Sequence, residues 1–260
     1  MALDSRLVAI VRVLQAESPK PRAEWHYYPS MVVLALDTTT PAGSCALAVD
    51  GSVVREEASD VSLPPATRLP LDLMTLLEHS GVALGAVDVF AVATGPGSFT
   101  GLRIGISTMQ GLAFAAGKPL IGVSGLDALA RMADREAAGR QIATWVDAWR
   151  GEVYAALYAN GVEVAAPVVA KPAEILDGFA SQPTLFIGDG ARAYQEKIQQ
   201  RMGGGPAALA EHPTPLLAGT IAMIAGEIAS TGAYAPPHAV RPMYVRRTDA
   251  ELARDARAVG

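Results

Sequence analysis

The sequence predicts an α/β protein made of two similar halves, each with three antiparallel strands followed by alternating helices and strands. Three observations predict it. Half of the 260 residues are hydrophobic, enough to bury a core for one large domain or two of roughly 100 to 150 residues. From Met31 onward, apolar residues switch repeatedly between a period of two and a period near 3.6. The order of these patterns in residues 31–138 returns in residues 139–247, with no detectable sequence identity between the two stretches.

In the first half, Val32 to Asp37, Ser44 to Val49 and Ser52 to Ala58 read as strands. Thr-Pro-Ala-Gly separates the first two and Asp50-Gly51 the last two, which makes an antiparallel meander. Leu69, Leu73, Leu76 and Leu77 mark a helix within Pro65 to Ser80. Val87 to Thr94 is a buried strand, Leu102 to Ala116 a helix, Leu120 to Val123 a strand and Leu126 to Ala138 a helix. The second half opens with strands Gln141 to Asp147 and Glu152 to Ala159 around the turn Ala148-Trp149-Arg150-Gly151, and Val162 to Val169 is the third strand. A short helix near Pro172 to Phe179, a strand Thr184 to Ile187, a helix Ala191 to Met202 and a very short strand Ala207 to Ala210 follow. The last helix spans Pro215 to Thr231, with Leu216, Ile224 and Ile228 as its expected buried face. Two stacked βββαβαβα units form the ribonuclease-H-like duplication of the actin, sugar-kinase and Hsp70 class, whose members hold a nucleotide between the halves. Residues 1–30 are set apart as an N-terminal extension, with one short apolar stripe at Leu3, Leu7, Val11 and Leu14, and residues 248–260 as a tail.

Composition excludes several classes. The net charge is -5 and no basic block interrupts the chain, so tight direct RNA binding is not expected. The single cysteine, Cys45, rules out an intrachain disulfide framework and reads as a small buried hydrophobe in a reducing compartment. No apolar run near the N-terminus approaches membrane-spanning length or a signal-peptide pattern, so the expected location is the cytoplasm. The four histidines, His26, His79, His212 and His238, show no metal-ligand spacing, and no metal is expected. His79 precedes Ser80-Gly81, where it is expected to meet helix-end carbonyls.

Two segments have the chemistry of phosphate loops. Asp37-Thr38-Thr39 closes the first strand, where amides and hydroxyls wrap a phosphate in nucleotide-binding members of this fold; the competing reading is a side-chain-capped turn. Gly95-Pro96-Gly97-Ser98-Phe99-Thr100-Gly101-Leu102-Arg103 joins a buried strand to a helix, so helix-start amides face the loop and Ser98 or Thr100 caps them. The segment lacks the lysine of a P-loop, and Thr100 stands where a dinucleotide fingerprint needs its third glycine. Ser98 is outside a Gly-x-Ser-x-Gly elbow, so no peptidase nucleophile is signalled. Asp147, Arg150 and Glu152 read as an ion pair in a strand-turn-strand, and Gly188-Asp189-Gly190 as a plain strand-to-helix turn in preference to an adenosine contact.

With those residues in view, ATGPGSFTGLRIG continuing through GLAFAAGKPLIGVSGLDALA resembles the most recognisable stretch of the TsaB (YeaZ) family. LALDTTT, DAWRGEVYAALY and the closing Pro242-Met243-Tyr244-Val245-Arg246 extend the resemblance over about residues 31 to 247. It departs at Trp149, where arginine is more familiar, and at Ser62 to Arg68, where the family often shows a histidine. The resemblance implies a non-catalytic subunit of tRNA threonylcarbamoyladenosine synthesis. It pairs with TsaD, the transferase that carries its own metal, and works with the ATPase TsaE. It meets tRNA only through that complex; alone it is a monomer or a homodimer, and any ATP or ADP sits at the TsaD junction.

Under this reading the function lies on a surface. Leu69, Leu73, Leu76 and Leu77 on one helix, and Gly101, Arg103, Gly105 and Thr108 on the next, are the candidate partner-binding residues. Their alternative is packing on the protein's own sheet. Asp37, Thr38, Thr39, Gly95, Gly97 and Ser98 are the candidate vestigial phosphate loops. The competing function is an ATP-dependent transferase or kinase of the same fold acting by itself, for which no general base is named.

Overall fold

The computed structural model describes residues 30–40, 43–59, 65–178, 182–202, 207–232 and 234–245. The expectations for residues 1–29, for Phe179 and for the tail fall outside the described residues. Ten strands and seven helices are described: β1 (Val32–Asp37), β2 (Ser44–Val49), β3 (Ser52–Ala58), α1 (Pro65–Ser80), β4 (Val89–Gly95), α2 (Phe99–Ala116), β5 (Leu120–Ser124), α3 (Gly125–Ala137), β6 (Gln141–Asp147), β7 (Val153–Ala159), β8 (Val162–Ala170), α4 (Pro172–Gly178), β9 (Thr184–Ile187), α5 (Asp189–Ala193), α6 (Gln195–Met202), β10 (Ala207–Leu209) and α7 (Ala218–Ser230). Two 3-10 turns, Leu84–Ala86 and Pro237–Ala239, complete the order.

The two sheets repeat one plan. The first runs β3-β2-β1-β4-β5 and the second β8-β7-β6-β9-β10. In each, the first three strands form the antiparallel meander that the two short turns require, and the leading strand then takes a parallel neighbour, β4 beside β1 and β9 beside β6. A parallel neighbour needs a crossover connection, which the intervening helices supply.

Packing groups the chain differently from its linear order. One unit takes the described parts of Met1–Thr94, Ser98–Val123 and Leu216–Arg241; the other takes Gly95–Gly97, Ser124–Pro215 and Pro242–Gly260. The divisions expected at 138/139 follow chain order, whereas each unit receives the closing helix of the other's stretch of chain. Helix α3 follows β5 but lies on β6 and β9, and α7 follows β10 but lies on β1, β2 and β3.

In the first unit, α1 buries Leu69, Leu73, Leu76 and Leu77, the i, i+4, i+7, i+8 stripe of an amphipathic helix, over β2 and β3. Helix α2 buries Leu102, Gly105, Ile106, Met109 and Ala113. Helix α7 turns its small residues Ala218, Ala222 and Ala225, with Ile221, onto the sheet. This corrects the expected face: Leu216 is exposed and Ile224 and Ile228 are only half-buried. Alanines let the helix axis lie close to the strands, where larger residues would hold it off.

The second unit is built around Trp145 and Phe186, whose rings meet edge to face at 5.3 Å. The helix expected over Ala191 to Met202 is broken: Tyr194, with φ -110° and ψ 22°, separates α5 from α6. The break lets Ala191 and Ile198 enter the same core.

Candidate functional site

Strand β1 ends at Asp37, registered opposite Ser44 of β2. The Thr39 amide donates to Asp37 Oδ1 at 2.8 Å, closing a side-chain-capped turn. The amide of Ser98 donates to the Thr39 carbonyl at 2.8 Å. Ser98 is the N-cap of α2: its hydroxyl accepts from the Gly101 amide at 3.2 Å, one of the two capping options the sequence offers. Gly95 has φ +108°, a conformation open to glycine, and the Gly95-Pro96 bond is cis.

The structure therefore brings Asp37, Thr38 and Thr39 together with Ser98 and Gly101. It also shows what the helix glycines are for. A Cβ on Gly101 would stand 2.5 Å from the Thr38 carbonyl oxygen, and one on Gly105 would stand 2.3 Å from Thr38 Oγ1. The space above both glycines is filled by this chain's own loop. This corrects the expectation that Gly101 and Gly105 admit a partner helix.

The second glycine pair is occupied in the same way. Asp189 Oδ1 accepts from the amides of Asp147 at 2.9 Å and Gly190 at 2.8 Å. Burial raises the pKa of Asp189, and the charge of Asp147 adds to the rise against the opposing backbone hydrogen bonds. A Cβ on Gly188, which has φ +113°, would lie 2.0 Å from the Trp145 carbonyl oxygen, and one on Gly190 would lie 2.9 Å from the Val146 carbonyl carbon. The Gly188-Asp189-Gly190 segment is a tight strand-to-helix turn closed on β6. At the neighbouring turn the Trp149 amide donates to Asp147 Oδ1 at 3.0 Å.

The helix surfaces divide sharply. Leu69, Leu73, Leu76 and Leu77 are at most 1% exposed, so the expectation that they offer a docking surface is corrected: the leucine stripe is spent on the sheet. Helix α2 is different. Its inner face lies on the core and one flank is held by Gln110, whose Nε2 donates to the carbonyls of Pro237 at 3.0 Å and Val240 at 3.1 Å. The outer face presents Arg103, Ser107, Gly111 and Phe114, at i, i+4, i+8 and i+11, with Thr108 half-buried beside them. Phe114 is 85% exposed. The Arg103 guanidinium lies 3.8 Å above the centre of the Phe99 ring. The signal for this stripe was legible as a second period on α2, offset from the core one; Ser107, Gly111 and Phe114 were not singled out.

No local pattern marks Ser44 and Glu56. Helix α7 has no side-chain cap of its own at Leu217. Its Ala218 amide donates to Ser44 Oγ at 3.1 Å and its Gly219 amide to Glu56 Oε1 at 2.8 Å. Burial raises the pKa of Glu56, and the two amides oppose the rise. Cys45 is buried, as expected, and burial with the nearby charges of Asp72, Glu57 and Glu56 pushes its thiol up to about 12. His79 does not end on helix carbonyls: its Nδ1 meets Glu57 Oε1 at 3.2 Å across to β3. Among the described residues no three His, Cys, Asp or Glu gather in a metal-holding group, and no helix is long and apolar enough to cross a membrane.

Two sheets of one strand order, each with its crossover helices, define the duplicated actin-like class. Component A of (R)-2-hydroxyglutaryl-CoA dehydratase from Acidaminococcus fermentans shares this fold at a TM-score of 0.50 and 10% identity, covering 77% of this chain and 99% of that one. Within the class, the chain belongs to the TsaB (YeaZ) family. It is 30% identical over 235 residues to the tRNA threonylcarbamoyladenosine biosynthesis protein TsaB of Bacillus subtilis, covering 85% of this chain and 96% of the relative. YeaZ from Pseudomonas aeruginosa superposes with a TM-score of 0.66 at 35% identity, covering 82% of this chain and 99% of that one. The family model described as TsaD, tRNA N6-adenosine threonylcarbamoyltransferase, matches residues 66–252.

Proposed function

We propose that this chain is the non-catalytic subunit of a tRNA threonylcarbamoyladenosine synthesis complex, and that it docks on a TsaD-type transferase through the outer face of α2. TsaE is the further partner, and tRNA is engaged through the complex. The observation that supports this reading is the exposed stripe Arg103, Ser107, Gly111 and Phe114. Small residues there let a second helix approach, and Phe114 supplies an aromatic anchor whose burial is not satisfied within the chain. The filled glycine notches at Gly101, Gly105, Gly188 and Gly190 support a scaffold over a nucleotide-using enzyme, because the chain itself occupies the close-approach space. The role of the Bacillus subtilis relative in tRNA threonylcarbamoyladenosine biosynthesis supports the pathway.

The test mixes the purified chain with the transferase of its own source and follows the complex by size-exclusion chromatography, with modified adenosine on tRNA measured after addition of the ATPase. Wild type is expected to shift to a heterodimer. Phe114→Glu is expected to weaken that complex by about thirtyfold, the loss of one anchor of about 2 kcal/mol, with no change in melting temperature. Leu73→Asp would test folding instead, since Leu73 is buried. No shift for the wild type, or modification by the chain alone, refutes the reading.

A further inference from the structure

Why α2 stands where it does is a separate question from what it contacts. Its inner face carries glycine at two positions one turn apart, Gly101 and Gly105, and neither is in a left-handed conformation that would demand glycine. The demand is steric. A Cβ at 105 would meet three atoms of one side chain, Thr38 Oγ1 at 2.3 Å, Cγ2 at 2.9 Å and Cβ at 3.2 Å, while a Cβ at 101 would meet the Thr38 backbone oxygen at 2.5 Å. Thr38 is 3% exposed and its hydroxyl has no hydrogen-bond partner. The hydroxyl therefore does not hold the helix by bonding; the β-branched side chain, stiff about χ1, fills the notch by shape. One residue on, the Thr39 carbonyl receives the Ser98 amide at 2.8 Å. Thr38 directly follows β1, the strand paired on one side with β2 and on the other with β4.

We propose that Thr38 is the positioning residue of the docking helix: seated in the Gly101–Gly105 notch, it fixes the height and tilt of α2 and so the geometry of the outer face that a partner reads. The inference rests on the reading of α2 as the docking helix. It makes Gly105 and Thr38 a complementary pair, and it makes shape the property that matters at 38.

The experiment measures the dissociation constant of the full chain for the transferase of the same source, well below the melting temperature of every variant, alongside the melting temperatures themselves. Gly105→Ala is expected to bind about tenfold more weakly. Adding Thr38→Ala to it removes the two nearest clashing atoms and restores affinity to within about threefold of wild type. Thr38→Val keeps the shape and retains wild-type affinity. A purely structural notch would move melting temperatures and leave the dissociation constants alone. Should Gly105→Ala not fold, Thr38→Ala by itself, which empties the notch, is expected to weaken binding about threefold, and unchanged affinity overturns the proposal. Wild-type affinity in a folded Gly105→Ala, or no restoration by Thr38→Ala, overturns the proposal alone. Failure of wild type to bind overturns the docking reading and this inference with it.

Discussion

Helix α7 depends on two side chains far from it in sequence, and removing one of them has a calculable cost. The Gly219 amide is an orphan donor of the first turn, satisfied by Glu56 Oε1 at 2.8 Å. Glu56→Ala leaves that amide without its acceptor and removes a carboxylate from the positive end of the helix. Losing an N-cap costs about 0.5 to 2 kcal/mol and losing the charge–dipole attraction about 0.3 to 1 kcal/mol. Against both stands the relief of burying a carboxylate, so the net expectation at pH 7 is a loss of about 1 to 2 kcal/mol, or a melting temperature lower by about 2 to 8 °C for a chain of this size. Glu56→Gln keeps the acceptor and discards the charge, and the sign of its pH dependence follows from the raised pKa. The folded state holds the Glu56 proton more tightly than the unfolded state, so wild type loses stability as pH rises through the window between the ordinary value of 4.5 and the higher folded value. The Gln variant has no such loss. Its stability relative to wild type should be level below pH 4, grow as pH rises through that window and level off above it. Thermal unfolding by circular dichroism from pH 3.5 to 8 reads both. A relative stability that falls with rising pH would show that the helix amides outweigh burial and refute the argument.

Three further outcomes are expected. Gly188→Ala places a Cβ 2.0 Å from the Trp145 carbonyl oxygen at a φ of +113°, so a loss of more than about 3 kcal/mol is expected; soluble, fully stable protein would contradict the filled-notch geometry. Cys45, buried and with its thiol pushed up to about 12, should resist a disulfide reagent at pH 8 in the native protein and react at once in denaturant; rapid native labelling would count against its burial. Tyr158 donates to Asp127 Oδ1 at 2.6 Å, and burial followed by the Asp127 contact raises its pKa. Tyr158→Phe should cost about 1.5 to 3 kcal/mol, and it should remove a tyrosine that in folded wild type resists ionisation in a spectrophotometric titration to pH 11.

Much of the fold was legible because strand and helix periods are local. Val32 to Asp37, Ser44 to Val49 and Gln141 to Asp147 are bounded in the structure as the alternation bounds them. The site was legible in part. Asp37, Thr38, Thr39 and Ser98 do converge, since the end of a strand and the crossover after its parallel neighbour meet on one edge of a sheet. The use of the leucine stripe on α1 was not legible, because such a stripe is equally suited to a sheet and to another protein, and only its burial in this chain separates the two.

By itself the sequence determined the order and type of most of the elements, the duplication and a helix cap at Ser98 or Thr100. These follow from interactions within a few residues. Only the tertiary structure decided that Thr38 fills the α2 notch, that α3 and α7 cross to the opposite units, and that Ser44 and Glu56 cap a helix 174 and 163 residues away. Those contacts join groups whose separation along the chain leaves no periodicity to read, and they exist only once the strands have set the two sides of each sheet.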